Sequence, residues 1–243
     1  LNPIWTKKMY SFLEDTGIKF QIEIHNAPVW VKVWYLAPET FKTCPMFFLS
    51  TDVPENAHLS KTICHKLYDA NESTKVAQYI LLGKGGAKLL DEMNFEREVY
   101  HLNEAHGLPA AFYLLRKYGG DLAKVKEKLV FTTHTPEEAG NEKHNIHLCH
   151  DMSYFCGLTI DEVKKIEGVE DDRFNHSLCA LRMARVANGV SQLHGVVSRE
   201  MWNKYEGICE IKSITNAQEF KYWADKALYQ HKEDGDNVEF DIR

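Results

Sequence analysis

The pattern of hydrophobic and polar positions in this chain changes near residue 53. Before that point apolar residues alternate with polar ones, as in KFQIEIH, where Phe20, Ile22 and Ile24 share one face. This alternation predicts β-strands. A turn at NAP (Asn26–Pro28) would join the first strand to VWVKVWYL, and MFFLSTDVP would follow as a third strand. The first 53 residues are therefore predicted to be β-rich.

From residue 54 onward, helical and strand patterns alternate. Asp52 or Asn56 could start the next helix, and STKVAQYILLGKGGAKLLDEM has a helical period from Val76 to Leu90. Strands are predicted at EVYHL, VFTTH and CEIKSITN, and helices after Pro109 and in DLAKVKEKL, SLCALRMARVANGV, HGVVSREMWNKY and AQEFKYWADKAL. Strands separated by helices predict an α/β fold, with a parallel sheet and helices on both faces.

Composition excludes several functional classes. The 243 residues have 44% hydrophobic content and a formal net charge of −6, with no basic run that would indicate nucleic-acid binding. No apolar stretch is long enough to span a membrane and no secretory signal begins the sequence, so a cytoplasmic protein is expected. Six cysteines without CxxC pairs predict reduced, buried thiols rather than a disulfide framework.

Polar side chains follow two of the predicted strands. HLNEAH supplies Asn103, Glu104 and His106, and FTTHTP supplies Thr132, Thr133 and His134. Open α/β sheets bind ligands beyond the carboxyl ends of their strands, and this set of polar groups suits a polyhydroxylated ligand. The same pattern is compatible with Asn103 and Glu104 capping the next helix and with His134 as a hydrogen-bonded loop residue. The pattern alone leaves both interpretations open.

Two other motifs resemble sites without meeting their requirements. LLGKGG (Leu81–Gly86) lacks the GxxxxGK[ST] spacing of a phosphate loop and lies in a helical pattern, so its glycines are predicted to allow close helix packing. HNIHLCHDMSYFC would place its histidines at i, i+3 and i+6 of a helix, where they diverge. An ordinary helical face is favoured over a metal site. The residues concerned are His144, His147, Cys149, His150 and Cys156.

Longer motifs occur in a fixed order: STDVPEN, YILLGKGGAKLL, YHLNEAH, VFTTHTPEEAGNE, LCALRMARVANGVSQLHGVVSREMW and SITNAQEFKYW. Together they resemble the α-glucan phosphorylase family, relatives of glycogen and starch phosphorylase, from about Ile18 to about Ala227. The resemblance implies a Rossmann-like parallel sheet flanked by helices, the N-terminal half of a GT-B glycosyltransferase, with a β-hairpin-rich N-terminal segment. It also implies retaining cleavage of α-1,4-glucans by inorganic phosphate, which releases glucose 1-phosphate.

The resemblance further implies roles for individual residues. His134 matches the family histidine that contacts the reacting glucosyl unit and helps to stabilise positive charge in the transition state. Glu104 and His106 match residues that line the glucan side of the cleft, Asn103 would orient their loop, and Thr133 would add a substrate-binding hydroxyl. In the family, pyridoxal phosphate acts through its phosphate group and is held by a lysine of the C-terminal domain. No such lysine motif occurs here, so no bound cofactor is expected.

The resemblance and the element pattern together predict the domain organisation. Residues 1–243 are expected to form a single domain, the truncated N-terminal GT-B domain of a longer enzyme. It would comprise a β-rich portion (1–53), an α/β portion (54–230) and a polar tail (231–243) that is frayed or serves as a connector. Alone it is expected to be inactive, since the cofactor domain is absent.

The expected partners are an α-glucan and phosphate, with neither nucleic acid nor membrane. The exposed wall of a half-enzyme would present a contiguous apolar or polar-aromatic patch and would allow a homo-oligomer. Two alternatives are kept. One is a GT-B glucosyltransferase of the glycogen-synthase type, which uses a nucleotide sugar, and the other is a glucan-binding module without catalysis.

Overall fold

The computed structural model describes residues 10–218 except Tyr68 and Glu96, together with Trp223, Asp225 and Gln230. The predicted helix AQEFKYWADKAL lies mostly outside the described residues, and the polar tail lies entirely outside them. The strands are β1 (Glu14–Ile24), β2 (Ala27–Leu36), β3 (Met46–Ser50), β4 (Tyr100–Asn103), β5 (Leu129–Thr133), β6 (Lys143–Asn145), β7 (Arg173–Asn175), β8 (Val186–Gly189) and β9 (Glu210–Ser213). The helices are α1 (Pro38–Phe41), α2 (His58–Lys61), α3 (Glu72–Ile80), α4 (Gly86–Glu92), α5 (Pro109–Lys117), α6 (Leu122–Lys128), α7 (Ile146–Asp151), α8 (Ile160–Glu167), α9 (His176–Met183) and α10 (Gln192–Trp202).

The predicted N-terminal strands form an antiparallel sheet in the order β1-β2-β3. Phe20, Ile22 and Ile24 point into the core, as their alternation predicts. The turn between β1 and β2 is one residue earlier than predicted, because His25 and Asn26 occupy the two turn positions with φ of 53° and 55°. Two consecutive left-handed residues are typical of the tight turn that matches the twist of a β-hairpin.

The predicted parallel sheet is confirmed, with four strands in the order β4-β5-β8-β9. One row of side chains crosses all four strands and is buried: Leu102, Phe131, Ala187 and Ile211. The next row contains Asn103, Thr132, Asn188 and Lys212. Polar residues therefore begin at the carboxyl edge of a hydrophobic sheet.

The prediction of a single helix in SLCALRMARVANGV is wrong. Helix α9 ends at Met183, Ala184 is extended, and the backbone N–H of Arg185 donates to Leu129 O at 2.9 Å. The next four residues form β8, which is paired on both sides by β5 and β9. Pairing in the middle of a sheet outweighs the weak helical preference of this segment.

The helix predicted from Val76 to Leu90 is present but is not a regular α-helix. A π-helical turn, Leu81–Gly85, joins α3 to α4. Gly83 faces the turn before α5, and a Cβ on it would lie 2.5 Å from Gly107 O. The prediction that glycines here allow close packing is confirmed at Gly83, whereas a Cβ on Gly86 would meet nothing within 4 Å.

Neither Asp52 nor Asn56 starts a helix, because α2 begins at His58 with Ala57 as its N-cap. Asn56 is instead buried beside β2, where its side chain hydrogen-bonds to backbone groups of Trp30 and Thr51. β3 pairs with β2 only from Lys32 to Leu36, so the backbone of Trp30 on β2 has no partner in β3. The side-chain amide of Asn56 supplies hydrogen bonds to Trp30 instead.

The cysteines are free thiols, as predicted, but two of the six are exposed rather than buried: Cys44 and Cys64. Within the described part of the chain, no helix has both the length and the apolar composition that crossing a membrane requires.

Candidate functional site

A chain of hydrogen bonds ties together three strands at the carboxyl edge of the parallel sheet. The hydroxyl of Thr132 on β5 donates to Asn188 Oδ1 on β8 at 2.7 Å. Nε2 of His101 on β4 lies 2.7 Å from the same hydroxyl. Because this hydroxyl donates its one proton to Asn188, Nε2 of His101 must be the donor in their hydrogen bond. These polar contacts fix the relative positions of the strand ends and of the loops that follow them.

Glu104 joins the two loops that the sequence analysis selected. Its carboxylate Oε1 accepts hydrogen bonds from the backbone N–H of His134 and, at 3.2 Å, from the Thr135 hydroxyl. Its own N–H donates to Thr132 O at 2.9 Å. The helix-capping interpretation is wrong for Glu104, because its side chain makes no cap hydrogen bond to the turn that follows.

The backbone of Glu104 is strained, with φ of 61° and ψ of 172°. This conformation is nearly restricted to glycine and costs about 1–3 kcal/mol in another residue. Strain of this kind persists where the surrounding contacts enforce it, and it clusters at functional sites. The combination of strain and a loop-bridging carboxylate marks Glu104 as the structural centre of this edge.

The other predicted residues of this edge differ in accessibility. His134 and Asn103 are exposed, and His134 has no hydrogen bond to its ring among the described residues. Thr133 is fully buried, and its hydroxyl accepts the N–H of Thr135 at 3.3 Å. His134 is therefore open to solvent beside Glu104, whereas the buried Thr133 stabilises the loop through its hydrogen bond with Thr135.

His106 lies in a short 3-10 turn, Ala105–Gly107, between β4 and α5. Its ring is 4.9 Å from that of Tyr79 on α3. Both residues line a small cavity of about 80 Å³ between the β4 and β5 loops. The other lining residues are Glu104, Ala105, Thr135, Gly140, Asn141, Glu142, His176 and Ser177.

The histidine-rich segment forms a buried hydrogen-bond chain rather than one helical face. His144 lies in β6 and its Nδ1 is 2.8 Å from Nε2 of His176, whose Nδ1 is 2.8 Å from Tyr154 Oη. His147 and His150 are exposed on α7. Across the described ranges, no group of three His, Cys, Asp or Glu side chains is arranged to hold a metal ion.

This buried chain predicts a pH-dependent stability. Burial, together with the charge of the neighbouring His144, lowers the pKa of His176 to about 3. The unfolded histidine takes up a proton near pH 6.5, so its contribution to stability is complete above pH 6.5 and declines as the pH falls toward 3. Between pH 7 and 5.5 we expect His176 to account for a loss of about 1 kcal/mol. Urea unfolding of the wild type and His176→Gln at both pH values measures this, and equal losses would contradict it.

The helix that follows β8 carries a histidine that the sequence analysis did not select. His194, near the start of α10, is buried, and its Nδ1 accepts the N–H of Val190 at 3.1 Å. Its Nε2 is buried without a hydrogen-bond partner among the described residues. The sequence places this histidine at the first position of the predicted helix HGVVSREMWNKY, where nothing distinguishes it from a core residue.

A larger groove, about 830 Å³ in volume, lies between β3 and β4 and extends to Asn103 and Gly107 at the carboxyl edge of the sheet. It is mainly apolar, and its exposed hydrophobic lining includes Phe47, Phe48, Leu67 and Leu82. This matches the expected apolar patch. The groove lacks the converging polar groups found at Glu104, and the expected homo-oligomer stays a prediction.

Comparisons with known proteins agree with the resemblance seen in the sequence. No family model matches the chain. It is 35% identical to the maltodextrin phosphorylase of Thermococcus litoralis over 73% of its own length. It is 33% identical to the glycogen phosphorylase of Mycobacterium tuberculosis over 90% of its length.

The chain is related to the α-glucan phosphorylases. It is also 43% identical, over 92% of its length, to an uncharacterised protein of Methanocaldococcus jannaschii. The chain spans 42% of that protein, 23% of the Thermococcus phosphorylase and 30% of the mycobacterial one. It therefore corresponds to less than half of each of these relatives.

The fold matches part of a GT-B glycosyltransferase catalytic domain. The catalytic domain of starch synthase IV from Arabidopsis thaliana, solved with ADP and acarbose, superposes with a TM-score of 0.62. The superposition covers 87% of this chain and 42% of that domain, at 14% sequence identity. This likeness concerns the fold alone, and it confirms the predicted fold class of this phosphorylase relative.

Proposed function

We propose that this chain forms the glucan-binding side of the cleft in a retaining α-1,4-glucan phosphorylase, which transfers a glucosyl unit to phosphate. The observation that carries the proposal is the bridge made by Glu104. Its carboxylate joins the β4 and β5 loops and holds the exposed His134 next to the cavity lined by His106. Similarity to enzymes named maltodextrin and glycogen phosphorylase supports the choice of α-glucan as substrate.

In this proposal each residue has a physical role. His134 contacts the reacting glucosyl unit, where its ring can donate or accept a hydrogen bond and stabilise developing charge. Glu104 and His106 bind glucan hydroxyls. The exposed Asn103 extends this contact surface, and the buried Thr133 shapes the loop beneath it. The domain organisation inferred from the sequence, with residues 1–243 as one part of a longer enzyme, belongs to the same proposal.

Pyridoxal phosphate is proposed for the longer enzyme only. The cavity between the two loops has no lysine in its described lining, so these residues do not fit the role of covalent anchor for the cofactor. No step is assigned to the group in this chain, and the chain alone is proposed to be inactive. The glycogen-synthase alternative predicts no pyridoxal phosphate in a full-length protein, and absorbance of the bound cofactor separates the two.

Replacing Glu104 with glycine tests the proposal because it separates binding from folding. The substitution removes two hydrogen bonds of the carboxylate but relieves the backbone strain, so stability should change by about 1 kcal/mol or less. Binding of maltopentaose should weaken about tenfold, since the carboxylate and the position of His134 are both lost. Calorimetric titration measures the affinity, and thermal unfolding measures the stability.

Glu98→Ala is the matched control, because Glu98 is exposed before β4 begins, at the opposite edge of the sheet. It should leave the affinity for maltopentaose unchanged. If Glu104→Gly and Glu98→Ala bind maltopentaose as tightly as the wild type, the sugar does not bind at this edge.

A further inference from the structure

His106 is held in place by a residue that the sequence analysis did not select. The Tyr79 ring lies 4.9 Å from the His106 ring at an interplanar angle of 40°. Tyr79 belongs to α3, whereas His106 belongs to the loop after β4, so the contact joins two elements that are distant in sequence. The orientation of the His106 ring in the cleft therefore depends on where Tyr79 is held.

Tyr79 is held by Glu142. The hydroxyl of Tyr79 donates to Oε2 of Glu142, and Nζ of Lys75 lies 2.8 Å from Oε1 of the same carboxylate. Burial alone would raise the pKa of Glu142, but the hydrogen bonds from Lys75 and Tyr79 outweigh burial and lower it. Glu142 is therefore ionised at neutral pH, and both of its oxygens are engaged.

Tyr79 also packs against the buried histidine pair, His144 and His176. Its ring centroid is 5.9 Å from that of His176 and 6.2 Å from that of His144, both in edge-to-face geometry. His176 is 2% exposed and is fixed by hydrogen bonds at both ring nitrogens. The position of Tyr79 is thus fixed by the packing of its ring against His144 and His176 and by the hydrogen bond from its hydroxyl to Glu142.

Glu142 also lies at the end of the loop that carries His134. This loop leaves β5 at Thr133 and reaches β6 at Lys143, so Glu142 is its last residue before the next strand. Glu104 ties the start of the loop to the end of β4, and Glu142 ties the end of the loop to α3. The two carboxylates therefore clamp the loop at both ends.

We propose that Glu142 is a positioning residue, which acts through Tyr79 to hold His106 and through its own backbone to hold the His134 loop in the glucan-binding geometry. The part of this inference that concerns glucan binding rests on the proposed function. Its structural part, the fixed contact between Tyr79 and His106, is independent of any ligand. Preorganised side chains bind and react more effectively because a small misplacement is costly.

The test compares Glu142→Ala with Glu142→Gln and with Glu138→Ala. The glutamine retains an oxygen that can accept the Tyr79 hydroxyl, so it should restore most of what the alanine loses. Glu138 lies on the same loop and pairs with Lys204 at 2.7 Å, on the surface. Glu138→Ala therefore removes a carboxylate and an ion pair from this loop without touching Tyr79.

Two readouts are needed. The first is the proton NMR signal of His106 Cε1–H, which the nearby Tyr79 ring shifts and which can be assigned by its absence in His106→Gln. The second is the affinity for maltopentaose. Glu142→Ala should move the His106 signal and weaken binding about tenfold, whereas Glu142→Gln should remain within about threefold of the wild type and Glu138→Ala within about twofold.

The outcomes separate this inference from the proposed function. An unmoved His106 signal in Glu142→Ala would overturn the inference whatever the affinities are. A moved signal with unchanged affinity would overturn the link between positioning and binding. If the wild type binds no maltopentaose, the proposed function fails, and the His106 signal alone then decides whether Glu142 positions this residue.

Discussion

Replacing Gly83 with alanine is expected to lower the free energy of unfolding by about 3 kcal/mol, the upper range for overpacking of a well-packed core. A Cβ at this position would lie 2.5 Å from Gly107 O and 2.8 Å from Ala110 N, both of them backbone atoms. No rotation of a side chain can relieve these contacts, so the π-helical turn and the start of α5 must move apart. Urea unfolding at neutral pH measures the change.

Gly86→Ala provides the control for this substitution. Gly86 has helical backbone angles and open space around it, so alanine there should stabilise the protein by about 0.5–1 kcal/mol through the higher helix propensity of alanine. Equal effects at the two glycines would show that the approach of the π-helical turn to Gly107 is not a tight contact. Gly83→Ala should also weaken glucan binding, because the 3-10 turn that would be pushed away at Gly107 also contains His106.

Asn56→Ala is expected to cost about 3 kcal/mol, because it leaves three backbone hydrogen-bonding groups without their partner. Oδ1 of Asn56 accepts the N–H of Trp30 at 2.8 Å, and Nδ2 donates to Trp30 O at 2.8 Å and to Thr51 O at 2.7 Å. The residue is 7% exposed, so water cannot fully replace these contacts. Asn56→Asp should be at least as damaging at pH 7, because a carboxylate oxygen would then face two carbonyl oxygens.

Asn71→Ala is the comparison for Asn56. Asn71 is exposed and caps α3 with a single backbone hydrogen bond, from Thr74 N at 3.0 Å. Its replacement should cost about 1 kcal/mol, a typical value for the loss of an N-cap. If unfolding in urea showed no larger loss for Asn56→Ala than for Asn71→Ala, Asn56 would not be the link between β2 and the loop that follows β3.

The sequence predicts best those features that depend on a local period. The alternation around Phe20 and Ile22 gives the hairpin, and the polar residues directly after two strands give the candidate site. In both cases the burial of one face decides the structure, and burial is encoded by neighbouring positions. The exact turn at His25 and Asn26 was missed because several turn types suit NAP and its neighbours.

The sequence predicts less well those features that depend on distant partners. The strand after Met183 carries a helix-compatible pattern, and only its pairing with β5 and β9 makes it extended. Asn56 has a helix-capping appearance, yet its partner Trp30 is 26 residues away. The link from Tyr79 to Glu142 spans 63 residues. No local pattern reports such contacts, so these residues could be found only in the folded structure.

The central claim is that a glucan binds at the carboxyl edge of the parallel sheet, where the β4 and β5 loops are joined by Glu104. Titration of the isotope-labelled chain with maltopentaose, followed through its backbone amide NMR signals, tests this directly. We predict that the signals of residues 104–106 and 133–135 shift together, while those of Phe47, Leu67 and Leu82 in the apolar groove between β3 and β4 do not. Shifts confined to that groove, or no shifts at millimolar maltopentaose, would contradict it.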